Sequence, residues 1–136
     1  MIKQRLIDAN IILRFLTNDN PTQAAACENL LREVESGQTQ VYLADIILAD
    51  IVWTLEKYYR VEKSQIRTKL TQILALSGLR CVSKNIITAA LDIYCDKNID
   101  WTDAFVASQM LTANQNEIYS YDKDFDRIDG VKRIEP

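Results

Sequence analysis

Short apolar strands alternate with amphipathic helices along the chain, and this alternation is the feature that most restricts its fold. The strand-like segments are RLID, VYL, RCV, EIYSYD with its turn, and VKRI as a final edge strand. Strands that alternate with helices require right-handed crossovers and a mainly parallel sheet covered on both faces. We therefore expect an α/β fold.

The helices are marked by their periodicity and by turn residues. The pattern is helical from Ala9 to about Thr17, and the next helix has Pro21 near its start and Gly37 as its stop. Apolar residues from 44 to 59 repeat at helical spacing, which predicts one continuous helix there. Neither a linker nor an internal repeat interrupts the pattern, so residues 1–136 are expected to form a single domain.

Composition argues against several kinds of site. The chain contains no histidine, and its three cysteines, Cys27, Cys81 and Cys95, form no CxxC pair. These facts argue against a disulfide framework and a structural zinc site. Without histidine the Ser-His and Cys-His nucleophile systems are also missing. Catalysis must then use carboxylates, lysines, tyrosines or a metal ion.

The net charge and the lengths of the apolar segments indicate which surroundings the protein is suited to. A formal net charge of −3 argues against non-specific coating of nucleic acid. No apolar run approaches the ~18 residues of a membrane helix, and the charged start lacks the apolar region of a signal peptide. We expect a cytoplasmic protein that does not insert into a membrane.

Four aspartates lie where a parallel α/β sheet gathers its ligands, at the carboxyl ends of the strands. Asp8 follows the first strand and Asp122 the fourth, Asp103 opens the helix after NID, and Asp50 lies in the helix after the second strand. Their convergence would be costly, because two unit charges ~4 Å apart repel by roughly 4 kcal/mol at an effective dielectric near 20. Mg²⁺ or Mn²⁺ would remove that cost and leave coordination positions for water and phosphate. The pattern therefore predicts metal-assisted phosphodiester hydrolysis.

Three of these acids also have simple structural explanations. Asp8 suits an N-cap, and Asp122 suits a solvated turn. Asp100 and Asp103 stand at capping-box spacing, and an acid is favourable near a helix N-terminus. Taken singly, none of the three decides between structure and function.

Asp50 is harder to explain by structure alone. Its helical neighbours three and four positions away are Ile46, Ile47, Trp53 and Thr54, so a charge interrupts a mostly apolar face. A desolvated carboxylate is costly unless it is paired or bound to a metal. We therefore expect Asp50 to face a cation, either a metal ion or an Arg or Lys of the chain.

Four blocks of the chain resemble those of PIN-domain ribonucleases, especially VapC-type toxins of prokaryotic toxin–antitoxin systems. LIDANIILRFLTND resembles the opening block hhDTNhhhRhhhxD, where h is apolar, and IYSYDKDFDRIDGV resembles the fourth block, hhTxDxxFxxhxGV. VYLADIILADIVWTLEKYY and IDWTDAFVASQM resemble the second and third blocks. The resemblance implies a three-layer α/β/α sandwich with a central mainly parallel sheet and an acidic pocket for Mg²⁺ or Mn²⁺. It also implies homodimers and a small antitoxin partner.

The resemblance assigns roles to individual residues. The four family acids correspond to Asp8, Asp50, Asp103 and Asp122, of which Asp8, Asp103 and Asp122 are expected to hold the metal while Asp50 completes the negative pocket. Residues expected to support the pocket or bind substrate are Asn10, Arg14 and Ser120. For Arg14, a candidate phosphate contact, an exposed or paired arginine is the alternative.

The chain departs from the family pattern at three positions. Asp50 replaces the usual Glu and is one methylene shorter, while Ala9 and Ser120 stand where the family has Thr. None of these changes removes a carboxylate.

The resulting hypothesis is a metal-dependent endoribonuclease, and the resemblance implies that it leaves a 5′-phosphate on its RNA product. One alternative is a non-catalytic PIN-like module that binds RNA or protein, with activity weakened by the shorter Asp50. Another is a haloacid-dehalogenase-like phosphatase. That alternative is weak, because Asn10 and Ile11 replace the second acid and the Thr/Val of its DxDx[TV] motif.

Overall fold

The chain divides into two units, Met1–Val82 and Ser83–Pro136, in the computed structural model, which describes residues 3–136. In both units the strands pair in parallel and helical segments connect them, as the alternating pattern predicts. None of the helices in residues 3–136 is both long and apolar enough to span a membrane.

The first unit contains a parallel sheet and the helices that connect its strands. In chain order its elements are β1 Gln4–Leu6, α1 Ala9–Thr17, α2 Pro21–Glu35, β2 Gln40–Tyr42, α3 Asp45–Trp53, a π-helical segment Thr54–Tyr58, α4 Lys63–Leu74 and β3 Leu79–Arg80. β2 lies between β1 and β3, and Val41 of β2 is in register with Arg5 and Leu79. Val41 and Leu79 are buried, so the centre of the sheet belongs to the apolar core.

The first two helices begin and end where the sequence indicates. Oδ1 of Asp8 accepts a hydrogen bond from the N–H of Ala9 at 2.8 Å and caps α1. Asn20 caps α2 through its side-chain oxygen, and Pro21 occupies the first position of that helix. Gly37, with a φ of +80°, follows the end of α2. The predicted boundaries of both helices are therefore confirmed.

The third strand is Leu79–Arg80, so of the strand predicted over RCV only Arg80 is confirmed, and the prediction is wrong for Cys81 and Val82. Pairing starts earlier because Gly78 already contacts β2, where its carbonyl accepts a hydrogen bond from the N–H of Val41 at 3.0 Å. A Cβ on Gly78 would lie 2.2 Å from the carbonyl oxygen of Thr39. Only glycine fits this close approach.

The helix predicted over residues 44–59 changes geometry near its end. α3 continues directly into the π-helical segment, and the N–H of Tyr59 donates to the carbonyl of Thr54 at 3.1 Å. A π-turn contains one residue more than an α-helical turn, so the residues that follow are rotated by about 100° relative to a continuous α-helix. The prediction of one regular helix is therefore wrong for its last turn.

The turn after α1 carries a cluster of charged and polar side chains. Asn18, with a φ of +54°, reverses the chain, and Asp19 then accepts hydrogen bonds from Nη1 of Arg14 at 3.1 and 3.3 Å. Nε of Arg14 donates to Oε1 of Gln23 at 2.9 Å. The hydroxyl of Tyr59 donates to Asp19. This cluster connects the end of the π-helical segment to the turn between α1 and α2.

Asp19→Asn should destabilise the protein in a pH-dependent way. The hydrogen bond from Tyr59 and the charge of Arg14 hold the pKa of Asp19 below its ordinary value. An acid with a lowered native pKa contributes stability above its unfolded-state pKa, and this contribution is lost as the pH falls through the native value. We expect the variant to be less stable than wild type at pH 7 in urea unfolding, with the difference shrinking below about pH 4.

Asp129→Asn, a change at an exposed aspartate of the second unit, is the matched control for this measurement. A difference between wild type and Asp19→Asn that stays constant from pH 7 to pH 3 would contradict the prediction.

The second unit packs two helices against a short parallel pair of strands. Its elements are α5 Lys84–Asp96, α6 Trp101–Thr112, β4 Glu117–Tyr119, a 3₁₀ helix Lys123–Arg127 and β5 Lys132–Ile134. The strand predicted over VKRI is confirmed as β5. The buried side chains that join the 3₁₀ helix to α6 are Ile99, Ala107, Phe125 and Ile128. Oγ of Ser108, which is also buried, donates to the carbonyl of Ile86 at 2.7 Å and ties α6 to α5.

Candidate metal site

Asp103 projects from the first turn of α6 and is half-buried. Its position near the helix N-terminus is favourable for a carboxylate, because the unpaired N–H groups there carry a partial positive charge. Asp100 occupies the N-cap position, but its side chain makes no capping hydrogen bond. The structure therefore does not form the capping box that the spacing of Asp100 and Asp103 suggested.

Asp122 lies just after β4, as predicted, and begins the 3₁₀ helix. Its Oδ1 accepts a hydrogen bond from the N–H of Asp124 at 2.9 Å. Its own N–H donates to Oγ of Ser120 at 2.9 Å. Ser120 thus supports the backbone at Asp122, and its role beside a pocket stays a prediction.

The carboxylates of Asp103, Asp122 and Asp124 meet in the second unit. Each offers an oxygen, and these oxygens lie within 4.8 Å of one another. At such separations two carboxylates repel by roughly 4 kcal/mol at an effective dielectric near 20. Burial, and then the neighbouring charges of Asp122 and other acids, raise the pKa of Asp103 above its ordinary value. The second unit therefore concentrates negative charge at this point.

Compensation by cations is unequal among the three acids. Asp124 pairs with Nη2 of Arg127 at 3.2 Å, and that guanidinium also donates to the carbonyl of Asn98 at 3.0 Å. Within residues 83–136, Asp103 and Asp122 form no ion pair. Because hard divalent cations such as Mg²⁺ and Mn²⁺ prefer oxygen ligands, the three carboxylates fit such an ion.

Asp124 is a functional candidate that the sequence analysis missed. It stands two residues after Asp122, and the turn formed when the Asp122 side chain caps the N–H of Asp124 brings both carboxylates to one side. The signal was present in the segment YDKDFD, since an aspartate side chain in a turn often accepts a hydrogen bond from the backbone two residues later.

The first unit contains the other predicted site residues. Asp8 and Asn10 lie at the start of α1, at the carboxyl end of β1, and both are exposed. Asp8 serves as an N-cap, which was its simple structural explanation. Arg14 is paired with Asp19, as in the alternative considered for it. A role of Arg14 at phosphate stays a prediction.

Asp50 lies in α3 and is exposed, so the prediction that it is a desolvated charge is wrong. The apolar neighbours that suggested burial are themselves exposed, Ile46 by 78% and Trp53 by 62%. Helical spacing identified these neighbours correctly, but it could not tell whether their face is covered. The structure thus brings Asp103 and Asp122 together in the second unit, and the convergence of all four predicted acids stays a prediction.

Asp45 is a second acid that the sequence analysis did not single out. It is the first residue of α3 and follows the carboxyl end of β2. Its Oδ1 is buried and has no hydrogen-bond partner among the described residues. A carboxylate at a helix N-terminus is favourable electrostatically, which offsets part of the cost of this unpaired atom.

Comparison with known proteins agrees with the resemblance seen in the sequence. The model of the PIN domain family matches residues 5–131. Among solved structures, the chain is similar to a VapBC2 complex from Rickettsia felis bound to a DNA fragment from its promoter, with 16% identity, 98% coverage of each chain and a TM-score of 0.38. No curated protein matches the chain. The family match confirms the predicted fold class.

Proposed function

The chain belongs to the PIN domain family, and from this we propose that it is a metal-dependent endoribonuclease, the toxin of a toxin–antitoxin pair. PIN domains are generally nucleases. The observation that carries the proposal is the group of three carboxylates, Asp103, Asp122 and Asp124, whose oxygens lie within 4.8 Å of one another. A nuclease that uses Mg²⁺ or Mn²⁺ needs such a set of oxygen ligands.

The proposed ion-binding residues are Asp8, Asp103 and Asp122, with Asp124 as an addition from the geometry. When bound, the divalent ion supplies activation of water and stabilisation of the leaving oxygen of the phosphodiester. Asp50 is proposed to complete the negative charge of the pocket. The whole chain, residues 1–136, then acts as one PIN-like domain.

The remaining residues of the proposed site support the backbone of the acidic turn or are candidates for contact with RNA. Ser120 accepts the hydrogen bond from the N–H of Asp122 and so fixes the turn that carries two of the acids. Asn10, two residues after Asp8, is proposed to support the pocket. Arg14 can contact phosphate only if it leaves its pair with Asp19.

The proposed partners are RNA, a second copy of the chain and a small antitoxin. They rest on the resemblance of the four sequence blocks to VapC-type toxins. The protein is proposed to act in the cytoplasm, where its RNA substrate would be found.

The proposal is tested with purified protein and end-labelled single-stranded RNA. We expect endonucleolytic cleavage in Mn²⁺ or Mg²⁺, no cleavage in EDTA, and products whose new 5′ ends carry a phosphate that permits direct ligation. RNA that binds to the protein but stays intact in both metals would instead indicate the non-catalytic module.

A further inference from the structure

A half-buried arginine lies next to the acidic turn of the second unit. The side chain of Arg133, on β5, is only 12% exposed. Its Nε and Nη2 donate to the two carboxylate oxygens of Asp126 at 3.1 and 3.2 Å. Its Nη1 donates to the carbonyl of Ser120 at 3.2 Å and to Glu135 at 2.7 Å.

These contacts reach both ends of the segment that carries the acids. Ser120 precedes Asp122 by two residues, and Asp126 follows Asp124 by two residues. A second hydrogen bond, from the N–H of Ser120 to the carbonyl of Ile134 at 3.1 Å, fastens the same end of the segment to β5. The segment 120–126 is therefore held to one strand at its beginning and at its end.

The register of the sheet explains why Arg133 reaches this far. β4 and β5 run parallel with Arg133 opposite Ile118, so Ser120 lies two residues, or about 7 Å, further along the neighbouring strand. An arginine side chain spans that distance, and its planar fork matches the two oxygens of a carboxylate. Lysine offers a single point charge and could not hold both ends with this geometry.

We propose that Arg133 is a positioning residue of the metal site, because it fixes both ends of segment 120–126 and thereby the carboxylates of Asp122 and Asp124. This inference rests on the proposed function of that site. Outer partners of metal ligands typically change metal affinity or activity by about 10- to 100-fold when they are replaced. An arginine with a purely structural role would change stability and leave the affinity of the folded protein unaltered.

The test compares Arg133→Lys with Lys132→Met, a change at the exposed neighbouring residue of the same strand. Mn²⁺ affinity is measured by calorimetry at a temperature where circular dichroism shows every variant folded. We expect Arg133→Lys to bind Mn²⁺ about 10-fold more weakly. With Mn²⁺ kept below both dissociation constants, its kcat on RNA should fall by a similar factor with an unchanged KM, and Lys132→Met should match wild type.

Asp126→Asn provides a second route to the same result if Arg133→Lys folds poorly. Because Asp126 acts through Arg133, we expect a similar loss of Mn²⁺ affinity, and the double variant should lose little more than either single variant. The inference would be overturned if Asp126→Asn bound Mn²⁺ as tightly as wild type. It would also be overturned if the loss of Mn²⁺ binding free energy in the double variant equalled the sum of the losses in Arg133→Lys and Asp126→Asn.

Asp122→Asn, titrated in parallel, separates this inference from the proposed function. If Asp122→Asn binds Mn²⁺ as wild type does, or if wild type binds none, the proposed function fails and the role of Arg133 fails with it. If Asp122→Asn loses affinity and Arg133→Lys behaves like Lys132→Met, only the role of Arg133 is overturned.

Discussion

Asp103→Asn is expected to reduce metal-dependent RNA cleavage by about 100-fold or more, since loss of even an outer partner of a metal site costs about 10- to 100-fold. The carboxylate of Asp103 comes from α6, whereas Asp122 and Asp124 come from the turn after β4. Of the three carboxylates that meet in the second unit, its removal would leave only the two from that turn to hold an ion. The measurement is the initial rate on single-stranded RNA at saturating Mn²⁺, with Asp129→Asn as an exposed control from the same unit.

Loss of activity in this variant would not come from unfolding. Burial and the charges of Asp122, Asp100 and Asp124 raise the pKa of Asp103. A raised native pKa means that the ionised carboxylate destabilises the native state above that pKa, and that this effect disappears as the pH falls below the unfolded-state value. Metal-free Asp103→Asn should therefore be more stable than wild type at pH 7. Undiminished cleavage by a folded Asp103→Asn would exclude Asp103 from the site.

Phe125→Ala should lower the free energy of unfolding by about 3 to 4 kcal/mol. Phe125 is 4% exposed, and it is the residue through which the 3₁₀ helix packs on Ile99 and Ala107. Its removal leaves a cavity directly under the turn that carries Asp122 and Asp124. Urea unfolding followed by circular dichroism measures the loss. We also expect weaker Mn²⁺ binding at temperatures where the variant is folded.

Phe15→Ala is the matched control, because the same side chain is removed from a residue that is 37% exposed. We expect a smaller decrease in the free energy of unfolding for Phe15→Ala, because less apolar surface is removed from the core and the space that remains is open to solvent. If Phe125→Ala lowers the free energy of unfolding by less than about 1 kcal/mol, Phe125 does not anchor the turn as the structure implies.

Much of the fold could be predicted because its determinants are local. The α1 cap at Asp8 and the α2 cap at Asn20 are formed by residues next to the helices that they begin. The π-helical segment after α3 and the position of β3 depend instead on contacts between distant segments. The π-turn places the hydroxyl of Tyr59 within hydrogen-bonding distance of Asp19, forty residues away in the sequence. The backbone of Gly78 packs closely against the carbonyl of Thr39. Periodicity within one segment carries no information about such contacts.

The candidate site was predictable to the extent that it follows from topology. Asp122 follows a strand and Asp103 begins a helix, and the structure brings their carboxylates together. Asp124 was missed because its position depends on the hydrogen bond that its backbone N–H donates to the side chain of Asp122. The burial expected for Asp50 was wrong because neighbours along a helix do not show what covers that helix.

Thermal melting in a Mn²⁺ titration tests most directly whether a divalent ion offsets the repulsion among these carboxylates. An ion that binds only the native state stabilises it by about 2.7 kcal/mol at 100 times its dissociation constant. We predict that without metal the melting temperature of wild type is lower than that of Asp103→Asn. As Mn²⁺ is added, the melting temperature of wild type should rise more than that of the variant. If the two melting temperatures rose by the same amount at every Mn²⁺ concentration, the account would be contradicted.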